Sequence, residues 1–397
     1  MGSSWLALPS FSSFNTNRFI VRSNSDSYNR TNHSHGIQRR WIDAQFDRSL
    51  ASQHRFTVAS YNILADRNAS QHADLYDNIP SRYINWDRRQ KILSDELFQW
   101  NPDIICLQRR TGDTSDGCAM FWKADKFQAL DEESIQYKDI GLRDNVAQLL
   151  VFEMRGSNSR RLVVGNIHVL YNPNRGEVKL AQIRFLSSKA QTLSEKWGNA
   201  PVILAGDFNS TPESGIYKFL SSSELNIKLY DRKVLSGQKR CRPAQVLGEK
   251  KETVGPFNLL DGLLDCWTDE EVKTATGDSK CHLAVHPLKL NSSYATVNGS
   301  ASTRGFNGEP LATSYHSKFL GTVDYLWYSD GIVPTRVLDT VSISDLLRVG
   351  GLPCKKVGSD HLALVSEFSF SVAHNKSTDI DAASPRVDIE EHDLLQS

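Results

Sequence analysis

Short apolar segments alternate along this chain with helix-like stretches, and several end in a polar side chain. Few architectures tolerate that pattern. Residues 56–64 are apolar on both faces, and 103–108, Cys118–Lys123, 146–153, 161–170, 201–205, 321–328 and 361–370 also read as strands. Strands that are apolar on both faces belong in sheets covered on both sides. Trp86–Trp100 carries Leu93, Leu97 and Trp100 at helical spacing and stops at Asn101-Pro102. Residues 178–197 place Leu180, Ile183, Leu186, Ala190, Leu193 and Trp197 on one stripe. The alternation predicts a layered α/β domain.

With 397 residues the chain is long enough to bury a large core without disulfides. Its formal net charge is +0, so any contact with a polyanion must be local. The six cysteines form no Cys-x-x-Cys pair, and Cys106 and Cys118 fall inside apolar runs, which reads as reduced core thiols. No apolar run approaches the length of a membrane span. Three regions stand apart. Residues 1–53 are rich in Ser, Asn and Arg and hold one acid, Asp26, before residue 43; a disordered arm is expected, with an organelle transit peptide as the alternative. Residues 371–397 are polar and acidic and read as a disordered, solvated tail. Residues 220–319 are polar and poorly periodic, which predicts a functional loop or a disordered insert. Its basic residues Lys239, Arg240, Arg242, Lys250 and Lys251 suit a solvated face or an RNA backbone.

The chemistry-bearing side chains sit at strand ends. Asn62 closes the first strand, Gln108 the second, and His168 lies near the end of 161–170; Asp207 and Asn209 follow 201–205. Asp324 lies in a later strand, and Asp360-His361 open the last. Ends of neighbouring strands form a shared floor in layered α/β folds, so these residues can converge. Carboxylates and a side-chain amide oxygen suit a hard ion such as Mg²⁺. Imidazoles and amides suit phosphoryl oxygens as charge builds. Taken singly, Asn62 reads as a turn former, His168 as a core histidine, and Asp207 and Asn209 as helix caps. Their order along the chain carries the functional reading.

Seven segments together resemble the successive motifs of the endonuclease/exonuclease/phosphatase superfamily. They are Ser60-Tyr61-Asn62-Ile63-Leu64, Ile104-Ile105-Cys106-Leu107-Gln108, Asp116-Gly117-Cys118-Ala119, Asn166-Ile167-His168, Gly206-Asp207-Phe208-Asn209-Ser210, Val323-Asp324-Tyr325 and Ser359-Asp360-His361. The run from Tyr171 to Gln182 and the segment Phe319-Leu320-Gly321-Thr322-Val323-Asp324-Tyr325 narrow the likeness to the carbon-catabolite-repressor-4, nocturnin and angel group, in a plant-like form, over residues 54–370. The resemblance implies a four-layer α/β/β/α sandwich of the DNase I-like type. It also implies a Mg²⁺-dependent 3′-to-5′ exoribonuclease that shortens poly(A) tails and releases adenosine monophosphate. Asn62 and Asp360 would serve the metal. Asp207 would activate water or protonate the leaving 3′-oxygen, and Asn209 and His168 would hold the phosphate. His361, oriented by Asp324, would bind the phosphoryl group, and Pro173 with Phe319 would sandwich an adenine.

The departure from the family pattern is sharp. Where the family reads Leu-Gln-Glu, with that glutamate as the principal metal ligand, Leu107-Gln108 runs into Arg109-Arg110-Thr111-Gly112-Asp113. A helix and a strand expected between the motifs are missing, and cations stand where an anion should. Weak metal binding and weak catalysis are therefore expected. The alternatives are a catalytically dead RNA-binding or regulatory form, a nocturnin-like nucleotide phosphatase, and an abasic-site endonuclease. Poly(A) RNA is the expected partner, with nuclear and cytoplasmic location. Membership of a multi-subunit deadenylase complex rests on the resemblance alone, since 1–53 carry no leucine-rich repeat.

Overall fold

Two sheets stack face to face, with helices on their outer faces. The computed structural model describes residues 5–7, 37–45, 51–109, 117–156, 160–248 and 267–371. Among these, a seven-stranded sheet runs Trp5–Ala7, Cys118–Lys123, Ile104–Gln108, Ala51–Asn62, Leu364–Ser371, Ile332–Leu338, Trp41–Asp43. A six-stranded sheet runs Asn291–Ser292, Asp324–Tyr328, Val202–Asp207, Arg161–His168, Val146–Met154, Phe127–Gln136. The side-chain alternation of a strand explains the double burial. Ile104 and Cys106 face the second sheet and pack with Phe56, Met120, Phe152, Val164 and Ile203. Ile105 and Leu107 face the other way, against Leu93 and Leu97 of the Trp86–Trp100 helix. On the far side, Leu149, Val163 and Leu204 pack under Leu180, Ile183 and Leu186 of the Gly176–Lys196 helix. The four-layer α/β/β/α architecture expected from the sequence is the one observed.

Each sheet contains one parallel pair joined by a helix. Ala51–Asn62 pairs with Ile104–Gln108, and Arg161–His168 with Val202–Asp207. Both pairs therefore send their C-terminal ends to one edge of the sandwich. The register places Asn62 beside Gln108 and His168 beside Asp207. Asp324 starts an antiparallel strand on the other side of Asp207. Leu364 pairs with Ser60, which brings Asp360 and His361 to the same edge.

Two expectations change. Within residues 1–53, the segments Trp5–Ala7, Trp41–Asp43 and the start of Ala51–Asn62 pair into the first sheet; residues 37–40 and 44–45 are irregular chain, and the remainder of the proposed arm lies outside the described residues. The stretch 220–319 was expected to be a loop or an insert, yet its described residues carry short elements. These include the paired Glu224–Asn226 and Leu283–Val285 strands and the Asp269–Thr276 helix. The helix opens on a capping box from Thr268 and buries Val272 and Ala275. Elements of two to eight residues are too short to show periodicity; tertiary burial holds them. Residues 249–266, including Lys250 and Lys251, lie outside the described residues, as does the tail beyond Ser371.

Candidate active site

The site forms because Gly206 lets two strands meet closely. A Cβ at Gly206 would lie 1.9 Å from the Ile167 carbonyl oxygen, and the residue holds φ at +153°. Only glycine permits that approach, and it sets Asp207 directly alongside His168. Asn209 follows with a positive φ of 46°, turning its side chain back toward the floor. Leu64, also at positive φ, follows the end of the first strand, and the buried guanidinium of Arg89 binds the carbonyls of Ile63 and Leu64 and, at 3.4 Å, that of Gly358. Arg89 thereby ties the Asn62 turn to the loop that carries Asp360 and His361.

Asp207 is the hub. Its Oδ2 accepts from Asn62 Nδ2 at 3.0 Å and lies 3.5 Å from His168 Nε2 and 3.9 Å from His361 Nε2; its Oδ1 accepts from the Asn209 backbone N–H at 2.9 Å. Behind His361, the Asp324 Oδ2 atom sits 2.8 Å from Nδ1 and accepts from the Thr313 hydroxyl at 2.6 Å. Burial by itself would lower His361, but the carboxylates of Asp324, Asp360 and Asp207 prevail and raise it to about 10. His361 is therefore an imidazolium with Nε2–H facing Asp207. Asp360 Oδ2 accepts from the Tyr76 hydroxyl at 2.7 Å.

A cavity of about 380 Å³ opens over this floor. Asn62, His168, Asp207, Asn209, Asp360 and His361 all line it, while Asp324 supports it from behind. Phe319 lines the wall as expected; Pro173 is half-buried and is not among the lining residues. Tyr171, which is 62% exposed, takes part in its place. Pro173 sits in the loop between His168 and the Gly176–Lys196 helix, where no ladder fixes which side chain turns inward. His316 and Leu75 complete an apolar and aromatic wall.

A metal would meet oxygen donors here. Asp207, Asp324 and His361 present ligand atoms within 4.8 Å of one another. Because Asp324 and His361 are bonded to each other, the oxygens left for a hard cation are those of Asp207, Asp360 and Asn62. Three carboxylates against one imidazolium leave the floor anionic, which fits a divalent ion. Arg109, expected to repel a metal, is directed to Trp86 and does not line the cavity. Its guanidinium stacks over the Trp86 ring at 4.1 Å. Arg110, Thr111, Gly112, Asp113 and Asp116 lie outside the described residues.

Sequence reading missed Tyr76, Thr313, Lys179 and Gln238. Tyr76 and Thr313 lie in irregular segments with no pattern to expose them. Lys179 did leave a signal, a cation beside the apolar stripe of its helix, where it is fully buried.

Comparison with known proteins agrees with this geometry. The model of the Endonuclease/Exonuclease/phosphatase family matches residues 109–361. Carbon catabolite repressor protein 4 homolog 3 of Arabidopsis thaliana is 55% identical over 359 residues, covering 84% of this chain and 79% of that protein. That alignment is longer than the share of this chain it covers, so the relative carries residues with no counterpart here. Among solved structures, ANGEL2, a 2′,3′-cyclic phosphatase, in complex with adenosine-2′,3′-vanadate, is 26% identical with a TM-score of 0.66, covering 84% of this chain and 99% of its own. The human Nocturnin catalytic domain with bound sulfate anion shares the fold at 20% identity and a TM-score of 0.51, over 84% of this chain and 97% of that one. Motif order, sheet topology and these matches together make the chain a member of the endonuclease/exonuclease/phosphatase family of hydrolases, in its carbon-catabolite-repressor-4-like branch.

Proposed function

We propose that this chain hydrolyses a phosphoester at the 3′ end of adenine-bearing RNA, shortening poly(A) with release of adenosine monophosphate. The observation that supports this reading is a single cavity with Asp207 between two imidazoles on its floor and Phe319 and Tyr171 on its wall. Aromatic faces stack a base, worth about 1–3 kcal/mol per base. With the terminal base against that wall, the floor receives the phosphate. Asp207, acceptor to Asn62 and Asn209, takes a proton from the attacking water as the bond from phosphorus to the 3′-oxygen breaks, and that proton passes to the departing 3′-oxygen of the shortened strand. The His361 imidazolium and a ring N–H of His168 donate to phosphoryl oxygens as charge grows, and Asn209 donates an N–H to the same group. Asn62, Asp207 and Asp360 would hold a divalent ion such as Mg²⁺, whose chemistry is Lewis-acid polarisation of the phosphate. With no glutamate after Gln108, metal affinity and turnover should lie well below those of a full-length relative.

A second reading is favoured by the likeness to a 2′,3′-cyclic phosphatase at 26% identity: the same floor opening a terminal cyclic phosphate. One comparison separates the two. The purified chain is incubated with oligo(A) RNA, a mixed-sequence RNA and an RNA ending in a 2′,3′-cyclic phosphate, with Mg²⁺ and with chelator, beside Asp207→Ala. Mg²⁺-dependent, A-selective trimming lost in Asp207→Ala upholds the first reading. Loss of the cyclic phosphate without shortening supports the second. A chain that binds oligo(A) but cleaves none of these substrates is a regulatory form, and the poly(A) hydrolase proposal fails.

A further inference from the structure

Behind Asn209 lies a buried chain of polar groups that no step above uses. Lys179 has no exposure, and its Nζ donates to the Asn209 carbonyl at 2.7 Å, to Gln238 Oε1 at 2.8 Å and to the Tyr171 carbonyl at 3.2 Å. No carboxylate is among these partners. Three oxygen acceptors around one nitrogen call for three N–H donors, those of an ammonium. Burial nonetheless lowers the lysine to about 7, with the Asp207 charge opposing. The Ser236 hydroxyl donates to the same Gln238 oxygen at 2.9 Å. Gln238 Nε2 donates to Asn209 Oδ1 at 3.1 Å, and Asn209 Nδ2 donates to the Val169 carbonyl at 2.9 Å.

Each orientation in this chain follows from the one before it. An ammonium only donates, so the Gln238 oxygen must face it and the Gln238 NH₂ must face Asn209. The Asn209 oxygen is then occupied, which leaves its second Nδ2 hydrogen for the cavity. An amide that points either way with similar density becomes fixed by its network. We propose that Lys179 and Gln238 are positioning residues that lock the Asn209 carboxamide with its N–H toward a phosphoryl oxygen. The proposal deepens the reading of the floor as a phosphate site; it does not depend on adenine selectivity or on the fate of poly(A).

The role accounts for a buried lysine that has no carboxylate among its hydrogen-bond partners. The Val169 carbonyl already favours this orientation of Asn209, and the Gln238 donor adds to it; a flipped carboxamide would set its oxygen against Val169 and present a repulsion to the phosphate in place of a donor. Lys179 is too deep to touch substrate: it acts through Gln238. Both of its other acceptors are carbonyls of segments that line the cavity, so the same ammonium fixes the backbone at Tyr171 and Asn209.

The test reads inorganic phosphate binding to the full chain in Mg²⁺ buffer by calorimetry, which is independent of RNA sequence. Gln238→Glu keeps the shape and both acceptor bonds but cannot donate to Asn209 Oδ1, so Asn209 turns its oxygen outward. Phosphate affinity is expected to fall roughly ten-fold or more, as for loss of one hydrogen bond to a charged group. The same change in an Asn209→Ala background should have little further effect, which separates relay from simple charge repulsion. Lys179→Met should weaken phosphate in the same direction; thermal unfolding of each variant identifies any that fail to fold, and Gln238→Glu retains the test in that case. Three results overturn the relay: unchanged affinity in Gln238→Glu, an equal loss with or without Asn209, or wild-type phosphate binding that ignores Asn209→Ala. Failure of A-selective trimming with the coupling intact removes the poly(A) reading and leaves the relay standing.

Discussion

Asp324→Asn isolates the electrostatics of the site from its shape. Asp324 Oδ2 receives both the Thr313 hydroxyl and His361 Nδ1, while Thr313 Oγ1 in turn accepts from the backbone N–H groups of Val323 and Asp324. The hydroxyl proton is therefore committed to Asp324. An asparagine oxygen accepts both bonds in place, so the substitution removes charge and little else. His361 stands at about 10 against an ordinary 6.5, which at about 1.36 kcal/mol per unit is at most about 5 kcal/mol of net stabilisation of the imidazolium. Asp324 is its nearest carboxylate, so without it burial regains the upper hand and the ring is neutral at pH 8. Loss of a charged donor to the phosphate costs about 1.5–3 kcal/mol, or roughly 10- to 150-fold in kcat. The sign is fixed by linkage. The folding stability that a raised histidine confers is complete below its unfolded value near 6.5 and is lost as pH rises through about 10; the variant lacks it throughout. Histidine-labelled NMR titration with rates at pH 6 and pH 8 reads both effects. The variant should be slow at pH 8 and recover at pH 6 by a larger factor than the wild type, whose own change between these values reflects the buried Lys179 at about 7. A variant whose His361 still titrates near 10, or which matches the wild-type rate at pH 8, would falsify this account.

Gly206→Ala forces a Cβ to 1.9 Å from the Ile167 carbonyl. The parallel pair must part, at a cost of about 3 kcal/mol or more in urea unfolding, with phosphate binding lost in whatever folds. Arg109→Glu should leave Mg²⁺ affinity nearly unchanged, because that side chain lies on Trp86, whereas Asp360→Ala should lower it; calorimetric titration with Mg²⁺ decides. Glu309, 1% exposed, is pushed by burial to about 7 from 4.5, so its charge costs nothing below pH 4.5 and at most about 3 kcal/mol above pH 7. Glu309→Gln keeps an acceptor for the Tyr217 hydroxyl, which donates at 2.9 Å. It should raise the thermal midpoint at pH 8 and not at pH 4.5; equal shifts at both would remove the burial argument. Phe319→Ala should raise KM for oligo(A) about ten-fold or more with a smaller change in kcat, and an unaltered KM would separate Phe319 from base binding.

Local chemistry made much of this protein readable in one dimension. Runs such as Ile104–Gln108, apolar on both faces, have only a double-sided burial available to them, so a layered α/β domain and its helices follow from hydrophobic pattern, while the four-layer sandwich came from the motif resemblance. Strand ends mark where polar groups must gather, and Asn62, His168, Asp207, Asn209, Asp360 and His361 do line one cavity. Tertiary structure decided the rest. Whether Pro173 or Tyr171 lines the cavity depends on a loop with no periodic constraint, and where the Arg109 guanidinium points depends on the Trp86 ring it stacks on. The short elements after Leu220 exist only because other layers bury them. Lys179, Gln238, Thr313 and Tyr76 acquire meaning from partners 11 to 284 positions away, distances over which a sequence pattern carries no geometry. Hydrophobic period is a local property and survives in the sequence; hydrogen-bond direction is a property of three-dimensional neighbours and does not.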